Sequence, residues 1–540
     1  MKKKVLIIGS GPIKIGQAAE FDYSGTQASI ALQEEGYAAV VLNPNPATIQ
    51  TDIDFASAVY IQALTVENLE NVIKKEKVWG VVPTFGGQAG LNLATQADEA
   101  GIFKKYGVCV LGTNMDAIKK GEDREVFRKI TQEIGLHVLP SKGVTSVKAA
   151  QDFAEKIGFP VIVRAAYTLG GSGSGMANDK KALDSLISEA LKLSPIGQAL
   201  VEKSIFGGKE FEYEIVRDSD GNKLCICTME NLDPMGIHTG DSIVVSPIQT
   251  VPDVEVQYMR DASFKIVDAL GIQGACNVQF GYDYKSKKYY IIEVNPRLSR
   301  SSALASKATG YPIARMAAKI AIGKTLPQLK NPITGKSAFF EPALDYVVVK
   351  IPRWPFDKFH QLDKNLGVGM KSTGETMAIG RGFEEAIYKA VESLDFPTNY
   401  WGLCDKDSKP QLLEKLSTPT HERLSAIKRA LVLKISPTEI SKVSNIHPWF
   451  INKLESTFTH DFESKVISGY KLVDTCAGEF LAHTPYYYST FLGGSKNIIS
   501  KSKKPKVVIV GSGPIRIGQG IEFDYSCVHA VLAAKKMGFE

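Results

Sequence analysis

Residues 5–24 read Val5-Leu-Ile-Ile-Gly-Ser-Gly-Pro-Ile-Lys-Ile-Gly-Gln-Ala-Ala-Glu-Phe-Asp-Tyr-Ser24: four apolar residues, a glycine turn, then a helical stretch. Strand, glycine-rich turn and helix in that order open a parallel α/β sheet. The same phrase returns at residues 511–526, GSGPIRIGQGIEFDYS, changed only at Arg516, Gly520 and Ile521. A period that long belongs to no solenoid or propeller and implies a duplicated multidomain half. The second copy runs only from Lys506 to Glu540, so the chain reads as one complete half plus the opening strand and helix of another.

Working outward, Val5–Ile8 leads into a helix over roughly Gly16–Glu35, ended by Gly36. Ala39–Leu42 ends at Asn43-Pro-Asn-Pro46, and Gly80–Val82 ends at Pro83-Thr-Phe-Gly-Gly87. Gly9, Gly11 and Gly16 invite a dinucleotide reading, but their spacing is not GxGxxG and the second strand ends in Asn43 rather than an acid. The glycines are therefore read as permitting a tight strand–helix turn. From Glu122 to about 395 strands and helices mix. Residues 400–500 read as helical, with polar linkers at Asp405–Pro410 and Ser500–Pro505.

A chain of 540 residues suggests three or four domains, and 44% hydrophobic content supplies ordinary cores. The net charge of +6 is spread without a basic run, which argues against nucleic acid as a partner. No apolar run approaches the ~18 residues of a membrane span. The seven cysteines are scattered, with only Cys225 and Cys227 close, in neither a zinc nor a redox spacing. Reduced thiols in the cytoplasm are the expectation.

Three clusters carry chemistry. Thr168-Leu-Gly-Gly-Ser-Gly-Ser-Gly175 follows the strand Val161–Arg164, and its backbone can close on phosphate oxygens because no Cβ blocks the approach. Asn277–Tyr282 and Tyr289–Asn295 read as antiparallel strands around Lys285-Ser-Lys287. That loop places 284 opposite 288, 279 opposite 293 and 277 opposite 295. Glu293 and Asn295 then share a face, with Gln279 across from Glu293, an all-oxygen set suited to Mg²⁺ on nucleotide phosphates. Arg297 and Arg300 follow, before a helix starting near Ser301–Ser302, a place for a second anionic substrate.

GSGPIKIGQAAEFDYSG, NPNPATIQTD, PTFGGQ, EDR, TLGGSGSG, MGIHTGDS, NVQF and EVNPRLSRSSALASKATGYP together resemble the large chain of carbamoyl phosphate synthetase, an ATP-grasp family, over essentially the whole chain. The resemblance implies an α/β and α+β multidomain protein resembling the carboxyphosphate half. Its parts would be a parallel-sheet preATP-grasp domain (1–120), an ATP-grasp domain (121–400, lid about 130–205), a helical oligomerisation domain (401–500) and the start of a second preATP-grasp domain (501–540). It implies that Arg124 and Arg164 touch ATP phosphates under Gly170 and Gly171, that Lys203 and Ile205 hold adenine through backbone groups, and that Glu210 takes the ribose. Gly236, Ile237 and His238 would line the nucleotide pocket. Gln279, Glu293 and Asn295 would bind metal, and Arg297 and Arg300 would orient bicarbonate and carboxyphosphate. Lys203 departs from the family, which often has an acid there; a backbone role survives that change.

The implied activity is an ATP-dependent ligase that phosphorylates bicarbonate to carboxyphosphate, which ammonia converts to carbamate, feeding arginine and pyrimidine biosynthesis. ATP, Mg²⁺ or Mn²⁺ as two ions, and K⁺ are the implied cofactors. A glutaminase subunit, bicarbonate, a second synthetase half and an oligomer through 401–500 are the implied partners. Two other readings share the grasp residues: a biotin-carboxylase-like ligase, and a nucleotide-binding fragment without turnover. Ser436–Leu454 imitates a helix-turn-helix, but its second helix offers Trp449, Phe450, Ile451 and Leu454 rather than basic groups, which favours packing over DNA.

Overall fold

Val5, Leu6, Ile7 and Ile8 are fully enclosed, as a strand covered on both faces requires. The computed structural model describes residues 2–17, 19–166, 173–459, 462, 465–492 and 502–540. In it Lys4–Ile8 is the centre of a five-stranded parallel sheet, ordered Ala58–Tyr60, Ala38–Leu42, Lys4–Ile8, Gly80–Val82, Cys109–Val110. Val5 and Ile7 pack with Ala28, Ala31 and Leu32 of the helix Ala19–Glu34, and against Ile313, Ala314 and Ala317 of the helix Ile313–Ala321. Leu6 and Ile8 face the helices Val66–Glu76 and Gly87–Glu99 through Leu69, Val72, Ile73, Leu93 and Ala94.

The first helix begins at Ala19, later than the glycine spacing suggested, because Gln17 pairs with Lys14 and donates its amide to the Ser10 carbonyl. A Cβ on Gly9 would lie 2.4 Å from the Asn43 side chain, and one on Gly86 2.3 Å from the Ile8 carbonyl oxygen. Both glycines serve close packing. Asn43 donates to Asp22 and Gln50, so the space beside the first glycine is filled from within.

The repeat at 511–526 reproduces this turn: Arg516 pairs with Gln519, whose amide donates to the Ser512 carbonyl, and a helix follows at Ile521–Lys536. Residues 506–510, expected as its strand, form none. A parallel strand needs neighbours on its edges, and among the described residues no strand pairs with 506–510. Val508 and Val510 stay exposed.

The middle of the chain builds a seven-stranded antiparallel sheet, ordered Lys288–Asn295, Gly274–Asp283, Lys209–Arg217, Lys223–Asn231, Val244–Ser246, Val347–Arg353, Gly374–Gly380. A smaller antiparallel sheet, ordered Ser141–Val144, Ala199–Lys203, Val161–Ala165, Gly175–Ala177, lies beneath the helices Val147–Ile157 and Lys180–Leu193. Helices between Lys409 and Thr459 add a further layer. In the helix-turn-helix imitation Phe450, Ile451 and Leu454 are buried, and Trp449 stacks edge-on against Phe383. A recognition face is thereby used up in the core. Within 401–500, read as helical, Gly469–Asp474 and His483–Thr490 instead pair as an antiparallel hairpin. Val473 and Tyr488 pack on Tyr346, Val348 and Ile379, so a distant sheet decides their conformation.

Candidate nucleotide and acyl-phosphate site

The register between Gly274–Asp283 and Lys288–Asn295 is as the sequence gives it near the site: Asn277 opposite Asn295, Gln279 opposite Glu293. It differs at the loop, where Asp283 pairs with Lys288 rather than 284 with 288, and a bulge at Ile292 takes up the slip. That bulge has a consequence. Ile291 and Val294 enter the core beneath the sheet, whereas Ile292, Glu293 and Asn295 all line the cavity on the other face. Re-aiming a side chain is what a bulge does. Here it sets an apolar floor, Ile292 packed with Leu139 and Ile205, beside a carboxylate.

The cavity measures about 960 Å³, ample for a nucleotide. Arg124, the first residue of a helix capped by Asp123, reaches Glu293 Oε2 at 3.5 Å, and Arg164 reaches the same oxygen at 3.6 Å and Glu202 at 3.5 Å. Burial alone would raise the Glu293 pKa, but Arg124, Arg164 and Arg297 together hold it below the ordinary carboxylate value. Gly170 and Gly171 lie outside the described residues.

Lys203 turns its ammonium to Gly158 O (3.0 Å) and Phe159 O (3.2 Å), at the C-terminal end of the helix Val147–Ile157, where a cation is favoured. Its backbone N–H donates to Pro140 O at 2.9 Å. The return bond of such an antiparallel pair cannot form, because proline has no N–H. The Lys203 carbonyl is thus left as an acceptor at the cavity edge, next to Ile205.

Glu210 is buried on the strand Lys209–Arg217 and accepts from Asn231 Nδ2 at 2.9 Å. Burial, then Glu212 beside it, pushes its pKa up to about 8. His238 is buried, and together with Arg300, Arg164 and Lys350 that burial drives its pKa well down, so the ring is neutral. Its Nδ1 accepts from Gly240 N at 3.0 Å, which leaves the proton on Nε2. Gly236 has φ 114°, and a Cβ there would strike the Phe206 ring at 2.4 Å. Ile237, by contrast, is mostly core, packed with Leu232, Ile243 and Trp354.

The two arginines after Lys288–Asn295 part company. Arg297 donates to Gln88 Oε1 (3.3 and 3.2 Å) and Asn295 Oδ1 (2.9 Å), staying beside the strand Lys288–Asn295. Arg300 opens the helix Arg300–Thr309, capped by Ser299, and donates to Met370 Sδ, toward Glu20, Lys350 and Glu375. Gln88 also donates to Glu122 at 2.8 Å, so the parallel-sheet domain orients Arg297.

Sequence reasoning missed Gln88, Glu122, Asn277, Glu212 and Glu214. The last two had a signal: Lys209-Glu-Phe-Glu-Tyr-Glu-Ile215 alternates acid with apolar, and period 2 puts three carboxylates on one face. Asn277 Nδ2 bridges Glu212 (3.0 Å) and Glu214 (2.9 Å), and Ser299, Ser301 and Ser302 all donate to Glu214. Among the described residues no three His, Cys, Asp or Glu side chains form a metal cluster. Gln279, Glu293 and Asn295 offer one carboxylate and two carboxamides, a hard-oxygen set whose chemistry would suit Mg²⁺.

Three family models match the chain: carbamoyl-phosphate synthase L chain, ATP binding domain, over 123–329; carbamoyl phosphate synthase preATP-grasp domain, over 1–120 and 503–540; and carbamoyl-phosphate synthetase large chain, oligomerisation domain, over 375–474. The carbamoyl phosphate synthase large chain of Caldanaerobacter subterraneus subsp. tengcongensis is 51% identical over 99% of this chain and 54% of its own length. The arginine-specific large chain of Bacillus subtilis is 50% identical over 99% and 56% respectively. The chain thus spans about half the length of these relatives. In fold it is similar to the biotin carboxylase domain of Hydrogenobacter thermophilus 2-oxoglutarate carboxylase, with TM-score 0.57 and 16% identity, over 84% of this chain and 99% of that one. It is also similar to N5-carboxyaminoimidazole ribonucleotide synthetase from Thermotoga maritima, with TM-score 0.52 and 15% identity, over 72% and 97%.

Proposed function

We propose, for a chain that belongs to the carbamoyl phosphate synthase large-chain family, that its cavity phosphorylates bicarbonate with ATP and turns the carboxyphosphate into carbamate with ammonia. The convergence of Glu293, Gln279 and Asn295 with Arg124, Arg164 and Arg297 in one cavity carries this reading. Bicarbonate oxygen attacks the γ-phosphorus and ADP leaves; ammonia then adds to the carboxyphosphate carbon and phosphate leaves, giving carbamate. Such transfers need positioning and charge neutralisation rather than a covalent nucleophile.

Arg124 and Arg164 take the ATP phosphates, the Lys203 carbonyl and the Ile205 backbone take adenine, and Glu210 takes the ribose. Arg297, aligned by Gln88 and Asn295, holds the carboxylate of bicarbonate and its acyl phosphate. Arg300, on the far side, receives the anionic product. His238, neutral with its proton on Nε2, donates to phosphate without adding a charge. Gln279, Glu293 and Asn295 would hold Mg²⁺ or Mn²⁺, two ions in the full site, which when bound neutralise phosphate charge. K⁺, where bound, would find a hard oxygen in the buried Asn231 Oδ1, which has no hydrogen-bond partner among the described residues.

The product enters arginine and pyrimidine biosynthesis in the cytoplasm, an assignment supported by seven free thiols. Ammonia comes from a glutaminase chain, a second synthetase half phosphorylates the carbamate, and residues 401–500 serve self-association. The domain limits at 120, 400 and 500 follow the same reading. Among the described residues no helix is long and apolar enough to cross a membrane.

The test is Glu293→Ala with ADP release measured with and without bicarbonate. Loss of the bicarbonate-stimulated rate by roughly 100-fold or more, with the circular dichroism spectrum retained, is expected. Unchanged stimulation at limiting Mg²⁺ refutes the assignment.

A further inference from the structure

The helical layer reaches the segments behind the cavity's wall through one buried side chain. Arg423, at the start of the helix Arg423–Val432, is 3% exposed, and its partner Asp233 is 1% exposed. The guanidinium grips both Asp233 oxygens, Nη2 to Oδ2 at 2.5 Å and Nε beside Oδ1. Asp233 Oδ2 also accepts from Ile243 N at 2.7 Å. The same Nη2 donates to the Asp241 carbonyl at 3.2 Å, and Nη1 to Thr420 O at 2.9 Å. The guanidinium stands 5.4 Å from the Trp354 ring centroid.

Asp233 and Asp241 bracket the segment that carries Gly236 and His238. Asp241 in turn fixes a second segment, accepting from Lys371 N (2.7 Å), Ser372 N (2.8 Å) and Trp354 Nε1 (3.2 Å). That segment holds Met370, the partner of Arg300. It is tied to the same stretch of the helical layer, since Leu366 N donates to Pro419 O at 2.8 Å, and His238 N donates to Gly367 O at 2.7 Å. Residues 419–423 therefore hold both segments that aim His238 and Arg300 into the cavity.

We propose that Arg423 is a positioning residue for the phosphoryl-transfer cavity, so that the helical layer braces the active site besides any part in self-association. This rests on the reading of the cavity given above. A planar fork is required, because one side chain must meet two carboxylate oxygens and two backbone carbonyls at once. Lysine carries the charge but not that geometry.

Arg423→Met, Arg423→Lys and the double variant Asp233→Asn/Arg423→Met are compared in the full chain. Thermal midpoint, amide hydrogen exchange at 238–243 and bicarbonate-dependent ATP turnover are measured together. Arg423→Met strands a buried carboxylate and lowers the midpoint; the double variant removes that charge and recovers most of it. The brace stays missing in the double variant, so exchange at 238–243 is expected to remain about 10-fold faster, and kcat to stay roughly 10- to 100-fold low. KM for ATP changes less than kcat, and Arg423→Lys restores only part of the rate. Turnover returning with the midpoint, or exchange at 238–243 at the wild-type rate in the double variant, overturns the proposal. Absence of bicarbonate-dependent turnover in the wild type refutes the proposed function instead; the exchange rates then decide the brace alone, in the same sense.

Discussion

Replacing Glu210 by glutamine is expected to stabilise the protein at alkaline pH and to flatten its stability–pH curve. Burial, helped by the neighbouring Glu212 carboxylate, raises the Glu210 pKa from 4.5 to about 8 in the folded chain. Below pH 4.5 both folded and unfolded states are protonated there and the group has no effect on stability. Between 4.5 and about 8 the unfolded chain ionises while the folded one keeps its proton, so stability falls as pH rises through this window. The gap corresponds to about 5 kcal/mol at 1.36 kcal/mol per pH unit. Arg164 and Glu293 share the titration, and about half that, ~2–3 kcal/mol, is the working figure. Glutamine keeps an acceptor for Asn231 Nδ2 and never ionises. For a domain of this size it should raise the midpoint at pH 8.5 by roughly 5–10 °C, with little change at pH 5. Scanning calorimetry from pH 5 to 9 in the absence of nucleotide reads the effect. Parallel curves for the two proteins would refute the reasoning, since they would mean that Glu210 is already ionised in the fold.

Arg297→Ala should abolish bicarbonate stimulation of ATP hydrolysis while nucleotide affinity, measured by calorimetry, changes only about threefold, because Arg297 is held by Gln88 and Asn295 rather than by the phosphate arginines. Gly86→Ala drives a methyl into the Ile8 and Gly9 carbonyls and should lower stability by about 1–3 kcal/mol in urea unfolding. Removing residues 501–540 should reduce light scattering, since Val508 and Val510 are exposed. It should also open the cavity wall formed by Gly513, Pro514 and Ile515, so ATP hydrolysis persists while carbamate formed per ATP drops, read by trapping the product.

The sequence by itself determined the strand–turn–helix opening and which side chains share a strand face. Val5–Ile8 is apolar at every position, as a strand covered on both faces requires, and the glycine turn and helix come directly after it. Glu293 and Asn295 were placed on one face by the two-residue period of a strand, whereas Gln279 stands opposite Glu293 because the bulge at Ile292 makes up for a loop register one position from the expected one. Arg297 and Arg300 were legible as neighbours in the chain. Tertiary structure decided what period and proximity leave open. The bulge at Ile292 cannot be counted from residues, because a slip of one position is set by how both faces of the hairpin pack. The separation of Arg297 from Arg300 depends on Gln88 and Met370, far away in sequence. Residues 506–510 carry a strand's composition and form none, since a parallel strand exists only through its neighbours. The hairpin at 469–490 forms because a sheet more than a hundred residues earlier offers its aromatic residues a surface. Long-range burial determines such choices, and no window of sequence contains both partners.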